Sequence, residues 1–274
     1  MKIKAKNLIL DLLLAAEGQS LSAREAINAC ALFGISENNV RVVLVRLSSE
    51  GLIEAADRGL YRLSPSAHEL ADEVATWRTA EQRVRPWTGA YLVVHSGPLG
   101  RTDRSALRKR SRALDMLGFR ELDSGLFVRP DNIETNVDAV RGRLIALGLE
   151  REAAVFVATH FDVKREARIR TLWDGKALNT AYRKLRNQLE EWLERAEALE
   201  PDVAARESFL LGGKAIRQVV FDPLLPEPMV DTQARHAFVE TVRRYDKAGQ
   251  RIWRQVGVLP SSNLKSVITH AKLH

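Results

Sequence analysis

A chain of 274 residues that is 45% hydrophobic and 28% charged is long for one core and has the composition of a folded protein, which excludes a disordered or low-complexity polypeptide. Its single cysteine, Cys30, rules out an intrachain disulfide and a cysteine-built zinc site, and no apolar run approaches the roughly 18 residues of a membrane span. The net charge of +7 and pI near 9.7 favour a polyanionic partner, yet the excess is local: Arg78 to Arg112 hold nine Arg or Lys against two acids, whereas residues 1–63 are close to neutral.

At the N-terminus, lysines precede an apolar run as in a secretory leader. However, Asn7 and Asp11 interrupt it, and Leu8, Ile9, Leu12, Leu13 and Ala16 have helical spacing, so a first helix is expected over 5–16. Ser22 and Glu25 form a capping box for a second helix with Ile27, Cys30 and Ala31 inward, closed by Gly34. A third helix is expected over 36–49 with Ser36 as N-cap, and Val40, Val43, Leu44 and Leu47 on its inner face.

The opposite face of that third helix carries Asn38, Val42, Val45 and Ser49, with Arg41 and Arg46 on its flanks. A solvated helix would carry Lys or Glu at those positions. A major-groove reader uses each residue type present: Asn for adenine, small apolar groups for the thymine methyl, Arg for guanine or phosphate. The plainer alternative pairs Arg46 with Glu50 at i, i+4 and buries the valines against a neighbouring helix. Leu52-Ile53-Glu54 and Leu60 to Leu63 flank Asp57-Arg58-Gly59, a hairpin with Arg58 at its tip, so residues 1–64 read as a winged helix-turn-helix.

Ser64-Pro65 interrupts the chain. Ser66 and Glu69 cap a connector helix bearing Leu70, Val74 and Trp77, and Arg83-Val-Arg-Pro86-Trp87 marks a boundary. Next come a strand at 90–94, a helix at 102–117 closed by Gly118, strands at 119–122 and 126–128, a helix carrying Ile133, Val137, Val140, Leu144 and Leu147, and a strand at 153–158. This is the β-α-β-β-α-β order of a ferredoxin-like domain. Arg101, Arg104, Arg108 and Arg112 share one stripe of its first helix. DNA phosphate, a nucleotide-bearing ligand, an acidic partner or plain solvation all fit them.

Beyond His160 the pattern is helical. Leu178, Tyr182, Leu185, Leu189, Trp192, Ala196 and Leu199 make a seam of period 3.5, which serves either a dimer contact or the wall of a helical domain, and Phe238, Val242, Tyr245, Ile252 and Val256 repeat it. Asp222-Pro to Pro228 forms a rigid turn between them, and the tail from Gly257 is polar. No catalytic constellation is present. The six histidines lack metal spacing, and His95 and His160 fall at opposite ends of antiparallel strands.

Several short pieces follow one another over roughly residues 8 to 245. They are Ile35-Ser36-Glu37 with Val40-Arg41 and Arg46-Leu47, Arg85-Pro86-Trp87, Leu117-Gly118-Phe119, Val128-Arg129-Pro130-Asp131-Asn132, Leu172-Trp173-Asp174 with Leu178 and Tyr182, and Asp222-Pro223 with Leu225-Pro226. In this order they resemble the PaaX family, repressors of bacterial phenylacetate-type aromatic degradation. Met229 to Gln233 departs from that pattern, standing where the family usually has a tryptophan-containing segment. The resemblance implies a homodimeric winged-helix repressor with a ferredoxin-like middle and a helical C-terminal domain, released from its operator by an aryl-CoA thioester.

The expectation is thus an α+β, non-enzymatic protein of the bacterial cytoplasm, nucleoid-associated through its DNA. Its parts are a winged helix (1–64), a linker helix (65–87), a ferredoxin-like domain (88–161), a helical domain (162–256) and a flexible tail (257–274). A dimer would set two third helices on an inverted-repeat operator of double-stranded DNA. Ser36, Asn38, Asn39, Arg41, Val42, Val45, Arg46 and Arg58 are the DNA-binding candidates, with the Lys2, Lys4, Lys6 arm beside them. Arg101, Arg104, Arg108, Trp173 and Tyr182 are the candidates for an acyl-CoA effector, although the two aromatics suit a core equally well. No cofactor, metal or membrane is expected. The rival readings are an enzyme or adaptor acting on CoA thioesters, with the winged helix as a protein-docking module, and a DNA binder without sequence preference.

Overall fold

The computed structural model describes residues 3–16, 18–65, 67, 76–97, 99–100 and 102–258. It is a mixed α/β protein with two antiparallel sheets. Its contacts gather the chain into two compact units, one of Met1–Asp72, Ala196–Leu210 and Asp246–His274, the other of Glu73–Arg195 and Leu211–Tyr245. The stretch 162–256, expected as one helical domain, therefore contributes to both.

In the first unit, α1 (Ala5–Ala15), α2 (Ala23–Ala31) and α3 (Glu37–Ser49) precede a hairpin of β2 (Ile53–Asp57) and β3 (Leu60–Leu63), and a short β1 (Leu21–Ser22) pairs with β3, giving the strand order β1-β3-β2. The capping box forms as expected: Glu25 N–H donates to Ser22 Oγ at 3.1 Å while Ser22 N–H donates to Glu25 at 2.6 Å. After α2 the chain turns at Gly34 (φ +70°), where Gly34 and Ile35 N–H reach back to the Ala31 and Cys30 carbonyls, a C-cap that a side chain at position 34 would strain. The inner face of α2 is Ala26, Ala29 and Cys30. Ala31, expected on that face, is exposed.

The core of this unit takes Leu8, Ile9, Leu12 and Leu13 from α1, Val40, Leu44 and Leu47 from α3, and also Ala205 and Trp253 from two helices far along the chain, α8 (Pro201–Val220) and α9 (Thr232–Gln255). Trp253 stacks on Phe33 at 6.5 Å with Phe209 edge-on at 6.2 Å, and its indole N–H donates to Ser208 Oγ at 3.1 Å. Val258, placed by sequence in a frayed tail, is 1% exposed in the same cluster; residues 259–274, with Ser66, Glu69, Leu70 and Val74 of the connector, lie outside the described residues. Thr76–Arg83 is a 3₁₀ turn that buries Trp77 and Ala80.

The second unit holds a four-stranded antiparallel sheet of β4 (Tyr91–His95), β5 (Arg120–Asp123), β6 (Leu126–Pro130) and β7 (Ala154–Ala158), in the order β5-β6-β4-β7. The run Tyr91-Leu-Val-Val94 is buried throughout because β4 is central. Leu92 and Val94 face α4 (Arg104–Met116) and α5 (Val137–Ala146), while Tyr91 and Val93 face the other layer, with Ile169 of α6 (Val163–Arg170), Trp173 and Leu225. Ile133 is buried ahead of α5 rather than on it, since Asn136 caps the helix and Ile133 bridges to Val84. The long seam of α7 (Gly175–Arg195) meets α9 within the chain, Tyr182 stacking on Phe238 at 5.9 Å and Trp192 against Tyr245 at 4.6 Å, so it builds a wall and its aromatics are not available to a second copy.

A buried polar junction joins these layers. Arg129 is 1% exposed and donates to the Leu117 carbonyl, to the Pro130 carbonyl at 3.0 Å and to Asn132 Oδ1 at 2.9 Å; Asn132 passes the link on to the Leu224 carbonyl at 2.7 Å. Burial pushes the Arg129 pKa down to about 9, still above neutrality, so the guanidinium stays charged. Arg85 bonds Asp131, and Arg235 donates to the Leu225 carbonyl at 2.7 Å. Arg129→Met would remove this donor from the buried Leu117 carbonyl and Asn132 Oδ1, while the Pro130 carbonyl keeps its bond from Asn132 N–H at 3.0 Å, and a loss of about 3–5 kcal/mol is expected in urea unfolding followed by circular dichroism. A change under about 1 kcal/mol would show that the junction is not what holds these layers together.

Candidate nucleic-acid interface

Helix α3 begins at Ser36, whose backbone is extended (ψ 150°) and whose carbonyl accepts from Val40 N–H at 3.1 Å; its side chain makes no cap bond, contrary to the sequence expectation, and is exposed. The helix closes at Gly51 (φ +68°), with Leu52 N–H bonded to the Leu47 carbonyl at 3.0 Å. Between these ends the two faces separate cleanly. Val40, Leu44 and Leu47 are at most 3% exposed and Val43 is half-buried, whereas Val42 is 59% and Val45 68% exposed, with Asn38, Asn39 and Ser49 open beside them. Among the described residues no neighbouring helix covers the two valines, so the plainer alternative fails for them.

It holds for the arginines. Arg46 Nε donates to Glu50 at 2.9 Å, and Arg41 donates to Glu37 at 2.6 and 2.9 Å, a pair the sequence reading overlooked although its i, i+4 spacing announces it. Lys6, expected in a free basic arm, is also held by Glu50 at 2.6 Å. Hydrogen bonds from Lys6 and Arg46 hold the Glu50 carboxyl below the usual carboxylate range. Lys4 is exposed, and Lys2 lies outside the described residues. Exposed pairs of this kind are worth under about 1 kcal/mol, so they align the guanidiniums along the helix flanks without committing them. Arg58 stands exposed at the tip of the β2–β3 hairpin, its N–H on Asp57 Oδ1 at 2.6 Å, and its side chain has no acidic partner among the described residues.

The effector candidates fare differently. Arg104, Arg108 and Arg112 are exposed on α4 with no ion-pair partner among the described residues, while Arg101 lies outside them. Other cations from the same basic stretch are used internally: Arg110 is buried on Glu150 at 2.5 Å, Arg85 is bound to Asp131, and Arg83 lies near Glu134. Trp173 is buried with its indole N–H on the Gly118 carbonyl at 3.0 Å, and Tyr182 is fully buried, its phenol pushed well above its usual range by burial and the neighbouring Asp222. Both are core side chains with no face open to an aryl group. The cavity lined by Arg83, Arg143 and Asp222 has about 20 Å³, the space of one water and not of a thioester. The Met229 to Gln233 segment is structural too, Val230 being buried and Asp231 accepting from Ala234 N–H at 2.8 Å to start α9.

No group of His, Cys, Asp or Glu among the described residues has the geometry to hold a metal ion, and no helix is long and apolar enough to cross a membrane. The chain belongs to the PaaX-like family: residues 4–67 match the PaaX-like protein model and residues 173–255 the PaaX-like protein C-terminal domain. No curated protein matches it. Among solved structures it is similar to "Uncharacterized protein Rv0674 from Mycobacterium tuberculosis", at 22% identity and a TM-score of 0.56 over 91% of this chain and 98% of that one, a likeness of fold.

The face analysis makes a stability prediction. Val42→Ser and Val45→Ser should each change unfolding free energy by less than about 0.5 kcal/mol, whereas Leu44→Ala should cost about 2–4 kcal/mol in the same denaturant titration. A large loss at either valine would mean that the open face is packed after all.

Proposed function

We propose that the chain is a sequence-specific DNA-binding repressor in which α2, α3 and the β2–β3 hairpin act as a winged helix-turn-helix, beside a ferredoxin-like βαββαβ domain and a helical C-terminal region. The exposure of Asn38, Val42 and Val45 on one helix face carries this reading. Family membership and the strand order β5-β6-β4-β7 support it. Two copies would enter successive major grooves of an inverted-repeat operator, with half-sites about 34 Å or a multiple apart. Asn38, Val42 and Val45 touch base edges. Arg41 and Arg46 exchange their glutamates for phosphates, Ser36 and Asn39 contact the backbone near the helix start, and Arg58 follows the adjacent groove.

Selection of bound fragments from random DNA at near-physiological salt should return such a repeat. Against it, Asn38→Ala should relax preference at one position by about 1–3 kcal/mol, while Arg58→Ala weakens all sequences alike and lowers the salt slope by about one. Equal losses on specific and random DNA for Asn38→Ala, or selection that returns no sequence, would overturn the reading.

In this reading the repressor serves a catabolic operon of phenylacetate type in the bacterial cytoplasm and is released by an aryl-CoA thioester, as its resemblance to the family suggests. The unpartnered Arg104 and Arg108 suit the CoA phosphates, and Arg101 adjoins them in sequence. Release requires the effector to bind the DNA-incompetent form more tightly than the competent one. Titration of the protein–operator complex with phenylacetyl-CoA should dissociate it, and Arg104→Ala with Arg108→Ala should raise the concentration required by about tenfold or more. Dissociation at an unchanged concentration in the double variant would remove the arginines from the role, and calorimetry without binding of any aryl-CoA would remove the effector while leaving the DNA reading intact.

A further inference from the structure

The exposed large hydrophobics of the described residues fall mainly in two places. One is the open face of α3, and the other is the segment around β7, with Phe156 44%, Val157 42% and Val163 88% exposed. The two edges of the four-stranded sheet are treated oppositely. At β5 the edge is charged (Arg120, Glu121, Asp123), carries a bulge between Glu121 and Asp123, and is covered by Arg168, which donates to the Leu122 carbonyl and pairs with Asp123 at 2.8 Å. These are the devices that stop a strand from pairing with another chain. At β7 the run Ala153-Ala-Val-Phe-Val-Ala158 is uncharged and shows no bulge against β4, and among the described residues its one guard is Arg141, which donates to the Val155 carbonyl at 2.7 Å.

We propose that β7 is the seam of the dimer, pairing antiparallel with β7 of a second copy about a two-fold axis at Phe156. The inference deepens the two-copy reading above and rests on it. Symmetry and charge select this register. A two-fold axis normal to a sheet passes through a residue paired with itself. Centred on Phe156, the pairing sets Val155 against Val157, pairs the uncharged run over its whole length, and brings Glu152 of one copy to the end that carries His160 of the other. Centred on Val157 instead, it would oppose Glu152 to Asp162, two acids across the seam. Val155 keeps its bond from Arg141, because a carbonyl oxygen has a second lone pair for an incoming N–H. The two Phe156 rings then cover each other at the axis, which removes from water the apolar groups that this edge otherwise leaves exposed.

The test uses the full chain. In sedimentation equilibrium the protein should be a dimer, and Phe156→Lys, which forces two like charges together on the axis, should raise the dissociation constant about a hundredfold or more while leaving circular dichroism unchanged. Independently, Phe156→Cys should close a covalent dimer under mild oxidation, because directly opposed residues of an antiparallel pair lie within disulfide range, whereas Leu210→Cys, equally exposed on α8, should not. Cys30 does not compete, being fully buried with its thiol pKa pushed up to about 11. A wild-type monomer at about 100 µM would overturn the seam, as would Phe156→Lys self-associating like wild type or Phe156→Cys cross-linking no faster than Leu210→Cys. DNA selection is scored separately. A monomer that still selects a half-site sinks the seam alone, and a β7-linked dimer that selects no sequence sinks the repressor reading alone.

Discussion

The second unit depends on one guanidinium that has no access to water. Arg129 sits between the end of α4 and the turn that precedes α9, and the turn depends on it at second hand: Asn132, fixed by Arg129, donates to the Leu224 carbonyl, and Leu224 holds a positive φ of 48° while its own N–H bonds Asp222. Gly118 lies so close to Pro223 that a Cβ there would meet its Cα at 2.6 Å, and the Gly118 carbonyl is in turn the acceptor for Trp173. A buried cation is costly unless its donors are used, and here they meet the Leu117 carbonyl at the end of α4, the Pro130 carbonyl and the Asn132 side-chain oxygen, which hands the link on to the Leu224 carbonyl. The short motifs by which the family is recognised, Leu117-Gly118-Phe119, Arg129 to Asn132, Trp173 and Asp222 to Pro226, are largely the parts of this junction. They mark a scaffold, and they say little about what the protein binds.

The surface of α3 follows the opposite logic. Apolar groups cost free energy in water in proportion to their exposed area, so Val42 and Val45 are placed where the isolated chain gains nothing from them. Their neighbours are arranged so that the cost is not compounded. Arg41 and Arg46 lie back on Glu37 and Glu50, which keeps the face between them free of charge. Such pairs exchange readily because they are solvated, and a polyanion offers each guanidinium a stronger acceptor than a single carboxylate. In the near-neutral stretch 1–63 the two flanking cations of α3 are present but occupied by acids one helical turn away.

What the sequence disclosed tracks how local each interaction is. The two faces of α3, the capping box at Ser22, the hairpin at Gly59 and the strand–helix order of the second unit all follow from residues within a few positions of one another, and the structure places each within a residue or two of its expected ends, apart from the start of α5, which falls four residues beyond Ile133. Trp253 was legible only as an aromatic near the end of a helix. That it stacks on Phe33 depends on a contact between residues some two hundred positions apart, which no periodicity encodes. The same limit left Trp173 and Tyr182 open: aromatics at such spacing are more often core but also suit a ligand pocket, and the Gly118 carbonyl and the Phe238 ring are what hold these two in the core. Arg110 illustrates the converse. It stands among arginines that face solvent, and only the spatial approach of Glu150 turns it inward.

Three arginines of α4 remain outside these networks, and their setting bears on how the molecule divides its charge. In the same basic stretch, Arg85 and Arg110 neutralise acids that the fold brings to them, so they add nothing to the external field. Arg104, Arg108 and Arg112 repeat at one turn, repel one another, and gain no counter-charge from within the described residues. Holding like charges in a row on a rigid helix is unfavourable in proportion to their proximity, and it becomes favourable only when a multiply charged anion bridges them. A single phosphate satisfies one of them; a ligand or polymer with several phosphates satisfies the row. The stripe therefore selects for valence more than for shape, whereas the α3 face, with one amide and two methyl-bearing side chains, selects for shape and hydrogen-bond pattern with almost no net charge.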